Sequence, residues 1–523
     1  MEISFGTAFL LAFWAGFTYF SRRFMGELYL ERPIIAGTVA GLIMGDLQTG
    51  LVVGATIELA MMGVLEIGGG VGPNGAVGSI LGVAFAISAG LSTEEALVLA
   101  LTAAILGSFF QLIAKAASTI FVSGAEHYAE KNNANGVAAM VHLGNLFHFL
   151  ANFIPTFVVL AFGSAAVEGI MNGIPPFLQA GIGAAGNILP AFGFALLLDS
   201  VATTQLMPYF FVGFLLAAYL KMGVLGVALA GLLVAAILIY RNGGLQLLKK
   251  SDKKVESRVP KKFQKQIYWR SFALQSAFSF DRMQGLGFCW GLLPFLKNLY
   301  GKTDELGKAL HRQLAFFNTH PWVAGPVYAL VAELEAKKAE DPASVDDKMI
   351  QSVKASLMGP LAGIADPLFH GTARPIMAGI AASLALSGNV FGPILFFVVL
   401  LALHLWVRKI TTDAGFQLGD TLFERLDQNS LTRLIEGANI MGLMAIGGLV
   451  GTWVNITTPI TYTSAEGVSV AIQPLINSIM PGLLSLGITL AIFAATRKGV
   501  KSNLLMGIVF VAAIVLGGFG ILA

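Results

Sequence analysis

The sequence predicts an all-α polytopic membrane protein, with two helical membrane modules joined by a basic cytoplasmic linker. Of its 523 residues, 56% are hydrophobic and only 12% are Asp, Glu, Lys or Arg, which is about half the charged fraction of ordinary soluble domains. Apolar runs of membrane length recur, and 61 glycines favour close helix packing in a bilayer. This composition excludes a soluble enzyme and a disordered or fibrous protein. Because Cys289 is the single cysteine, a disulfide scaffold is excluded too.

The first module, residues 1–240, consists of nearly continuous apolar runs. Its Gly- and Pro-rich stretch 54–80 predicts broken helices or a re-entrant segment, because irregular backbone is tolerated in a membrane only where protein or a wet cavity covers it. Residues 123–145, with their charges and paired asparagines, are predicted to be a solvent loop. Predicted membrane segments lie at 5–20, 33–65, 76–92, 96–121, 146–163, 188–219 and 222–240.

The linker, residues 241–270, carries ten basic and two acidic side chains, a net charge of +8 in a chain of formal charge +3. The positive-inside rule explains such a run most simply, so we predict that the linker is cytoplasmic. Contact with anionic lipid is a second interpretation. No stacking aromatic residues alternate with the charges, and nucleic acid is therefore not expected as a partner.

The second module, residues 271–523, starts with charged, helix-favouring stretches over 271–357. The loop 456–470 contains no Lys or Arg, and by charge bias it belongs on the membrane side opposite the linker. Predicted membrane segments are 376–407, 438–455, 471–495 and 502–522.

Neither a cofactor, a metal ion nor a catalytic residue is expected. Residues 70–75 match G-x-G-x-x-G, but they lack the strand and helix of a dinucleotide-binding unit. The chain has no phosphate-binding G-x-x-x-x-G-K-[ST] loop and no zinc-ligand spacing.

Polar side chains inside apolar segments are costly and are therefore candidate functional residues. In the first module these are Glu58 and Glu66, eight residues apart, Asn74 in a Gly-rich bend, and Asp199. The alternative interpretation of each is a structural ion pair, a helix cap or an interfacial position.

Three motifs of the second module combine amides, carboxylates and imidazoles with helix-breaking Gly or Pro. They contain Arg282 and Gln284, then Asn318 and His320, and finally Asp366 and His370. Amides and carboxylates can bind vicinal hydroxyls, while aromatic faces cover a sugar ring, so the set favours a neutral polyol over an ion. Helix capping and kinking is the alternative interpretation.

These motifs also carry a family resemblance. FDRMQGLGFCW, LAFFNTHPWVAGPV and MGPLAGIADPLFHGTARP of the second module resemble the IID component of the mannose/fructose/sorbose family of the bacterial sugar phosphotransferase system. ERPIIAGTVAGLIMGD and GATIELAMMGVLEIGGGVGPNGA of the first module resemble the partner IIC component. The chain thus resembles a fused IIC–IID pair, and the two resemblances together cover nearly all of it except the linker.

The resemblance implies a multi-pass channel of the bacterial cytoplasmic (inner) membrane. The resemblance implies a homotrimer that imports sugar. A separate IIB protein, which receives its phosphoryl group from IIA, phosphorylates the sugar during import. It also implies that this chain carries no phosphohistidine, and that bacteriocins or phages can dock on such proteins.

The resemblance further places Glu58, Asn74, Gln284, Asn318, His320 and Asp366 at the sugar site, with Arg282, Glu66, His370 and Asp199 as supporting residues. Two departures matter, since mannose-type members tend to have Asp in place of Asn74 and Trp in place of His370. An amide offers a donor as well as acceptors. The sequence therefore favours an amino sugar or N-acetylated sugar over mannose, with other hexoses left open.

Two alternatives remain at this level. An ion-coupled secondary sugar transporter would also show broken helices and intramembrane carboxylates. A receptor or structural membrane protein is the third possibility.

Overall fold

The computed structural model describes residues 3–63, 72–163, 176–241, 257–418, 428–463, 469–500 and 502–522. It confirms the predicted all-α class, because helices make up nearly all the regular structure in these ranges. The helices before the linker are α1 (Phe5–Phe24), α2 (Pro33–Met44), α3 (Leu47–Met61), α4 (Gly75–Ala89), α5 (Thr93–Ala117), α6 (Thr119–Glu130), α7 (Ala134–Phe162), α8 (Pro176–Val201), α9 (Met207–Leu220) and α10 (Val224–Arg241).

A short helix, α11 (Lys261–Arg270), lies within the stretch predicted as linker. After it come α12 (Gly285–Tyr300), α13 (Asp304–Leu314), α14 (Gly325–Glu340), α15 (Asp347–Ala365), α16 (Arg374–Leu386), α17 (Phe391–Leu418), α18 (Gln428–Trp453), α19 (Ile472–Ile479), α20 (Leu483–Arg497) and α21 (Ser502–Gly518). A π-helix, Asp366–Ala373, joins α15 to α16, and the two strands β1 (Thr461–Thr463) and β2 (Ser469–Ala471) pair antiparallel.

Helices α2 and α3 form a hairpin where the sequence predicts one apolar segment. Gly45 ends α2 in the left-handed region at φ 82°, and the Asp46 side chain caps α3 by accepting from the Thr49 amide. At 12 and 15 residues the two helices measure about 18 and 22 Å. Each is therefore shorter than the hydrocarbon core of a bilayer, which is about 30 Å thick.

The prediction of a solvent loop over 123–145 is wrong. The segment belongs to α6 and α7, apart from a turn at 131–133 in which the Asn133 side chain caps α7 by accepting from the Gly136 amide. Glu130 and Lys131 are exposed, while Ala125, Ala129 and Val137 are buried against the second module. A polar helix face that is covered by a distant part of the chain cannot be distinguished from a loop by composition alone.

The two modules share their hydrophobic cores. Helix α18 packs against α9 and α10, and α20 and α21 pack against α8, so the last helices of the chain lie on the last helices before the linker. A second core joins α6 and α7 to helices α11–α15. As a result, side chains of both modules meet in the interior.

By length and composition, four helical stretches of the described residues could cross a membrane: Thr93–Glu130, Ala134–Phe162, Val224–Arg241 and Phe391–Gln417. The pair α19 and α20 counts as a fifth if it forms one span, and it is bent by 76°. Several shorter apolar helices accompany them, in line with the broken helices that the sequence predicts.

The crossing of α9 and α18 depends on a glycine. A β-carbon at Gly213 would overlap the carbonyl oxygen of Met444. We therefore expect Gly213→Ala to lower the free energy of unfolding by about 1–3 kcal/mol through overpacking. Gly487→Ala is the matched control, because nothing lies within 4 Å of its β-carbon position. Thermal unfolding of the purified protein should show a lower midpoint for the first variant only, and equal midpoints would contradict this packing.

Candidate functional site

A polar cavity of about 190 Å³ lies where the two modules meet. Its wall combines the end of α1, the α1–α2 connection, the end of α5, the loop before α14 and the π-helix region. The lining residues are Arg22, Arg23, Glu27, Lys115, Gln275, Phe278, Gln284, Asn318, Thr319, His320, Pro321, Ala362, Asp366, His370 and Arg374. Five residues that the sequence singles out, all from the second module, therefore come together here.

The π-helix presents two of these residues. Asp366 and His370 stand four residues apart, and His370 Nδ1 lies 4.0 Å from Asp366 Oδ1. Such wide turns are rare and often occur at functional sites. The two side chains therefore face the cavity together.

The central acidic group is Glu27, which the sequence does not single out. Its carboxylate is only 3% exposed. Gln275 Nε2 donates to Glu27 Oε1 at 3.2 Å, and His370 Nε2 lies 3.3 Å from Glu27 Oε2. A first-module carboxylate is thus held by two second-module side chains.

His320 presents a hydrogen-bond donor. Its Nδ1 accepts from the Trp322 amide at 3.2 Å, and because a neutral imidazole has one acceptor nitrogen, its proton lies on Nε2. That nitrogen is buried and has no hydrogen-bond partner among the described residues. Glu27, His320 and His370 are close enough to hold a metal ion, but a protonated Nε2 donates and does not ligate.

Gln284 and Asn318 have different roles. Gln284 accepts from the Thr319 amide at 3.0 Å and donates to the Thr319 carbonyl at 2.9 Å, which fastens the loop that carries Asn318 and His320. The carboxamide of Asn318 makes no hydrogen bond to a described residue. Asn318 is therefore the amide that is open to a ligand.

Glu58 lies away from this cavity. It is fully buried and accepts from Arg32 Nη2 at 2.5 Å, from Arg32 Nε at 3.0 Å and from the Ile34 amide at 3.3 Å. Arg32 lines a smaller neighbouring cavity of about 40 Å³. The structure thus gives Glu58 the geometry of a buried ion pair.

Asn74 is not brought to the cavity either. Its Oδ1 caps α4 by accepting from the Val77 amide at 3.1 Å, and its Nδ2 donates to Asn152 Oδ1 at 2.7 Å. Both ends of the amide are therefore used within the first module.

Two of the supporting residues form ion pairs between the modules. Arg282 Nη2 lies 2.9 Å from Glu126 Oε1, and Arg497 Nε lies 3.1 Å from Asp199 Oδ1. Glu66 lies outside the described residues. Arg282 and Asp199 thus hold the modules together and do not line the cavity.

The lining residues that sequence reasoning missed include Arg22, Arg23, Glu27 and Lys115 of the first module and Gln275 and Arg374 of the second. A signal existed for some of them. Residues 22–32 hold a dense group of charges between two apolar segments, and charges so close to membrane segments often mark function.

Fold and site together define a polytopic membrane protein with an internal polar cavity built by two modules. Residues 258–522 match the family described as PTS system mannose/fructose/sorbose family IID component, and residues 5–237 match the PTS system sorbose-specific IIC component. The IID match begins at residue 258 and thus includes the residues of α11.

Individual relatives agree with both matches. The chain is 39% identical to the fructose permease IID component of Bacillus subtilis (strain 168), over 50% of this chain and 96% of the relative. It is 30% identical to the fructose permease IIC component of the same organism, over 41% of this chain and 79% of the relative. A solved structure of the mannose transporter ManYZ with microcin E492 is 34% identical, covering 51% of this chain and all of its own, at a TM-score of 0.31.

The chain belongs to the mannose/fructose/sorbose family of the bacterial sugar phosphotransferase system, and it carries a IIC component followed by a IID component. It is therefore a membrane permease part of that system.

Proposed function

We propose that this chain imports a hexose or an N-acetylated or free hexosamine, which a separate phosphorylated IIB protein phosphorylates during import, and that the cavity is the sugar site. One observation carries the assignment of the site. A buried carboxylate of the first module, Glu27, is held by second-module side chains beside His320 Nε2, which has no hydrogen-bond partner among the described residues.

The chemistry of the cavity suits sugar hydroxyls, each of which donates one hydrogen bond and accepts others. Glu27 and Asp366 accept, the His320 Nε2–H group donates, and the Asn318 amide does both. The donors and acceptors surround one space, as the recognition of a small polyol requires.

The charge of the cavity suits the product as well. Two acidic side chains face four basic ones in the lining, namely Arg22, Arg23, Lys115 and Arg374. A sugar gains negative charge on phosphorylation. The basic excess would stabilise that charge before the product leaves.

The partners follow from the family. A membrane component of this system works with a sugar and with the IIA and IIB proteins. We further propose a homotrimer in the bacterial inner membrane, with bacteriocin or phage docking as a secondary role. The phosphoryl group would come from IIB, so none of the seven histidines of this chain is assigned as a phosphoryl carrier.

The choice of sugar depends on the two departures from the mannose-type pattern. The sequence predicts that Asn74 selects an amino or N-acetylated sugar, and this stays a prediction. Of the two departures, His370 is the one that lines the cavity. An imidazole is smaller than an indole and has a second ring nitrogen, which can accept a hydrogen bond in the neutral form. The exchange therefore favours a sugar with an additional polar substituent.

Phosphorylation of a panel of labelled sugars tests the proposal. Membranes containing this chain and phosphorylated IIB should phosphorylate one class of hexose or hexosamine, and omission of IIB should abolish the product. We expect His370→Trp to change the ranking of mannose against amino sugars. If Asn74→Asp changes the ranking of the sugars and His370→Trp does not, the cavity is not where the sugar is selected.

A further inference from the structure

A second pocket lies outside the sugar cavity. It is a groove of about 660 Å³ between α11 and the last turns of α17. Its lining residues are Ser257, Lys261, Gln264, Lys265, Tyr268, Trp269, Lys409, Thr412, Asp413, Phe416 and Gln417. None of them lines the sugar cavity.

The groove is basic. Lys261 and Lys265 stand one turn apart on α11, and Lys409 faces them from α17. Asp413 is the single acidic residue among the described residues of the lining, and its carboxylate pairs with Lys409. Among the described residues no carboxylate pairs with Lys261 or Lys265, so the groove offers two ammonium groups to an anion.

The length of α17 places the groove at the membrane surface. At 28 residues the helix is about 42 Å long, whereas about 20 residues cross the hydrocarbon core. The excess length belongs to the C-terminal end, because Lys409 and Asp413 there are charged and about half exposed. This end, which lines the groove, therefore emerges into the headgroup layer.

Two tryptophans give independent support for this depth. Trp269 and Trp406 are 57% and 62% exposed, which is unusual for so large an apolar side chain. Tryptophan concentrates at membrane–water interfaces, where its ring lies among the headgroups. Trp269 lines the groove and Trp406 lies one turn before Lys409 on α17.

We propose that the groove binds the headgroup of an anionic phospholipid. The two lysines pair with the phosphate, Gln264 Oε1 can accept a hydrogen bond from the polar headgroup, and Tyr268 and Trp269 cover the start of the acyl chains. The bound lipid ties α11, at the end of the basic linker, to the membrane end of α17. The site is independent of the sugar cavity and of the substrate.

Photo-crosslinking in nanodiscs tests the site. A photoactivatable phosphatidylglycerol should label peptides from 257–270 and 406–417, and a phosphatidylcholine with the same acyl chains should label them at least fivefold less. The double variant Lys261→Gln/Lys265→Gln should lose most of the phosphatidylglycerol labelling, because each lysine near an anionic surface is worth about fivefold in affinity. Lys302→Gln/Lys337→Gln, two exposed lysines elsewhere, removes the same charge and should leave the labelling unchanged.

Several outcomes would overturn the proposal. Equal labelling by both lipids would show that the groove does not select charge. Suppression by millimolar inorganic phosphate would indicate a site for soluble anions. Unchanged labelling in the groove variant would remove the two lysines from the site. If that variant keeps its lipid labelling but loses IIB-dependent phosphorylation in detergent, the groove is a protein-docking surface instead.

Discussion

Glu27→Gln is expected to lower sugar affinity at least tenfold and to abolish measurable import. The carboxylate is buried at the centre of the cavity and is held by Gln275 and His370. An amide presents one acceptor oxygen in place of two, and it carries no charge. The loss of a charge-assisted hydrogen bond costs roughly 1.5–3 kcal/mol, or about tenfold or more in affinity.

Binding of a labelled sugar to purified protein measures this effect. Glu130→Gln, an equivalent change at a 70% exposed carboxylate, is the matched control and should bind normally. Asp366→Asn should also weaken binding, because Asp366 lines the same cavity. Normal affinity in a well-folded Glu27→Gln variant would show that the cavity is not the sugar site.

A second substitution, Glu335→Gln, is expected to destabilise the protein by about 3–5 kcal/mol. Glu335 is fully buried and accepts from Arg312 Nε at 2.7 Å and Nη2 at 2.5 Å, from Gln313 Nε2 at 2.7 Å and from the Tyr300 hydroxyl at 2.7 Å. The variant leaves the buried guanidinium of Arg312 without its main counter-charge. Removal of one partner of a buried pair is strongly unfavourable for this reason.

The thermal unfolding midpoint and the yield of folded protein should both fall in this variant. Glu340→Gln is the control, because Glu340 is 66% exposed and pairs with Arg258 at 3.4 Å on the surface. Such a pair contributes about 0–1 kcal/mol. Similar midpoints for both variants would mean that the Glu335 network does not stabilise the IID component.

Much of the fold could be predicted from the sequence, because membrane helices are recognised by the length and apolar composition of their segments. The hairpin of α2 and α3 shows the limit, since a single apolar run over 33–65 conceals a turn at Gly45 and Asp46. The segment 123–145 was predicted as a loop but forms helices, because its buried face packs against a part of the chain that is distant in sequence. Local patterns do not reveal such partners.

The candidate site was predictable in its second-module half. Asn318, His320, Asp366 and His370 lie in motifs rich in helix breakers, and the structure brings them to one cavity. Glu27 was missed because a single acidic residue in a short charged connection does not reveal its burial. One of its partners in the cavity, Gln275, lies 248 positions further along the chain.

The predicted first-module residues show why polarity alone is a weak guide. Glu58 forms an ion pair with Arg32, and Asn74 caps a helix and donates a hydrogen bond to Asn152. A buried polar group needs partners whatever its function, so an ion pair and a sugar ligand are indistinguishable in sequence. That both residues act on the sugar remains a prediction from the family resemblance, and Glu58→Gln is expected to act at least partly through stability.

The central claim is that this chain couples sugar entry to phosphorylation by IIB, and the chemical form of the imported sugar tests it most directly. Proteoliposomes containing the chain, with phosphorylated IIB inside and labelled sugar outside, should accumulate sugar phosphate without any ion gradient. Vesicles that lack IIB should accumulate no sugar. Unmodified sugar that accumulates in IIB-free vesicles under a proton or sodium gradient would contradict the account and indicate an ion-coupled secondary transporter.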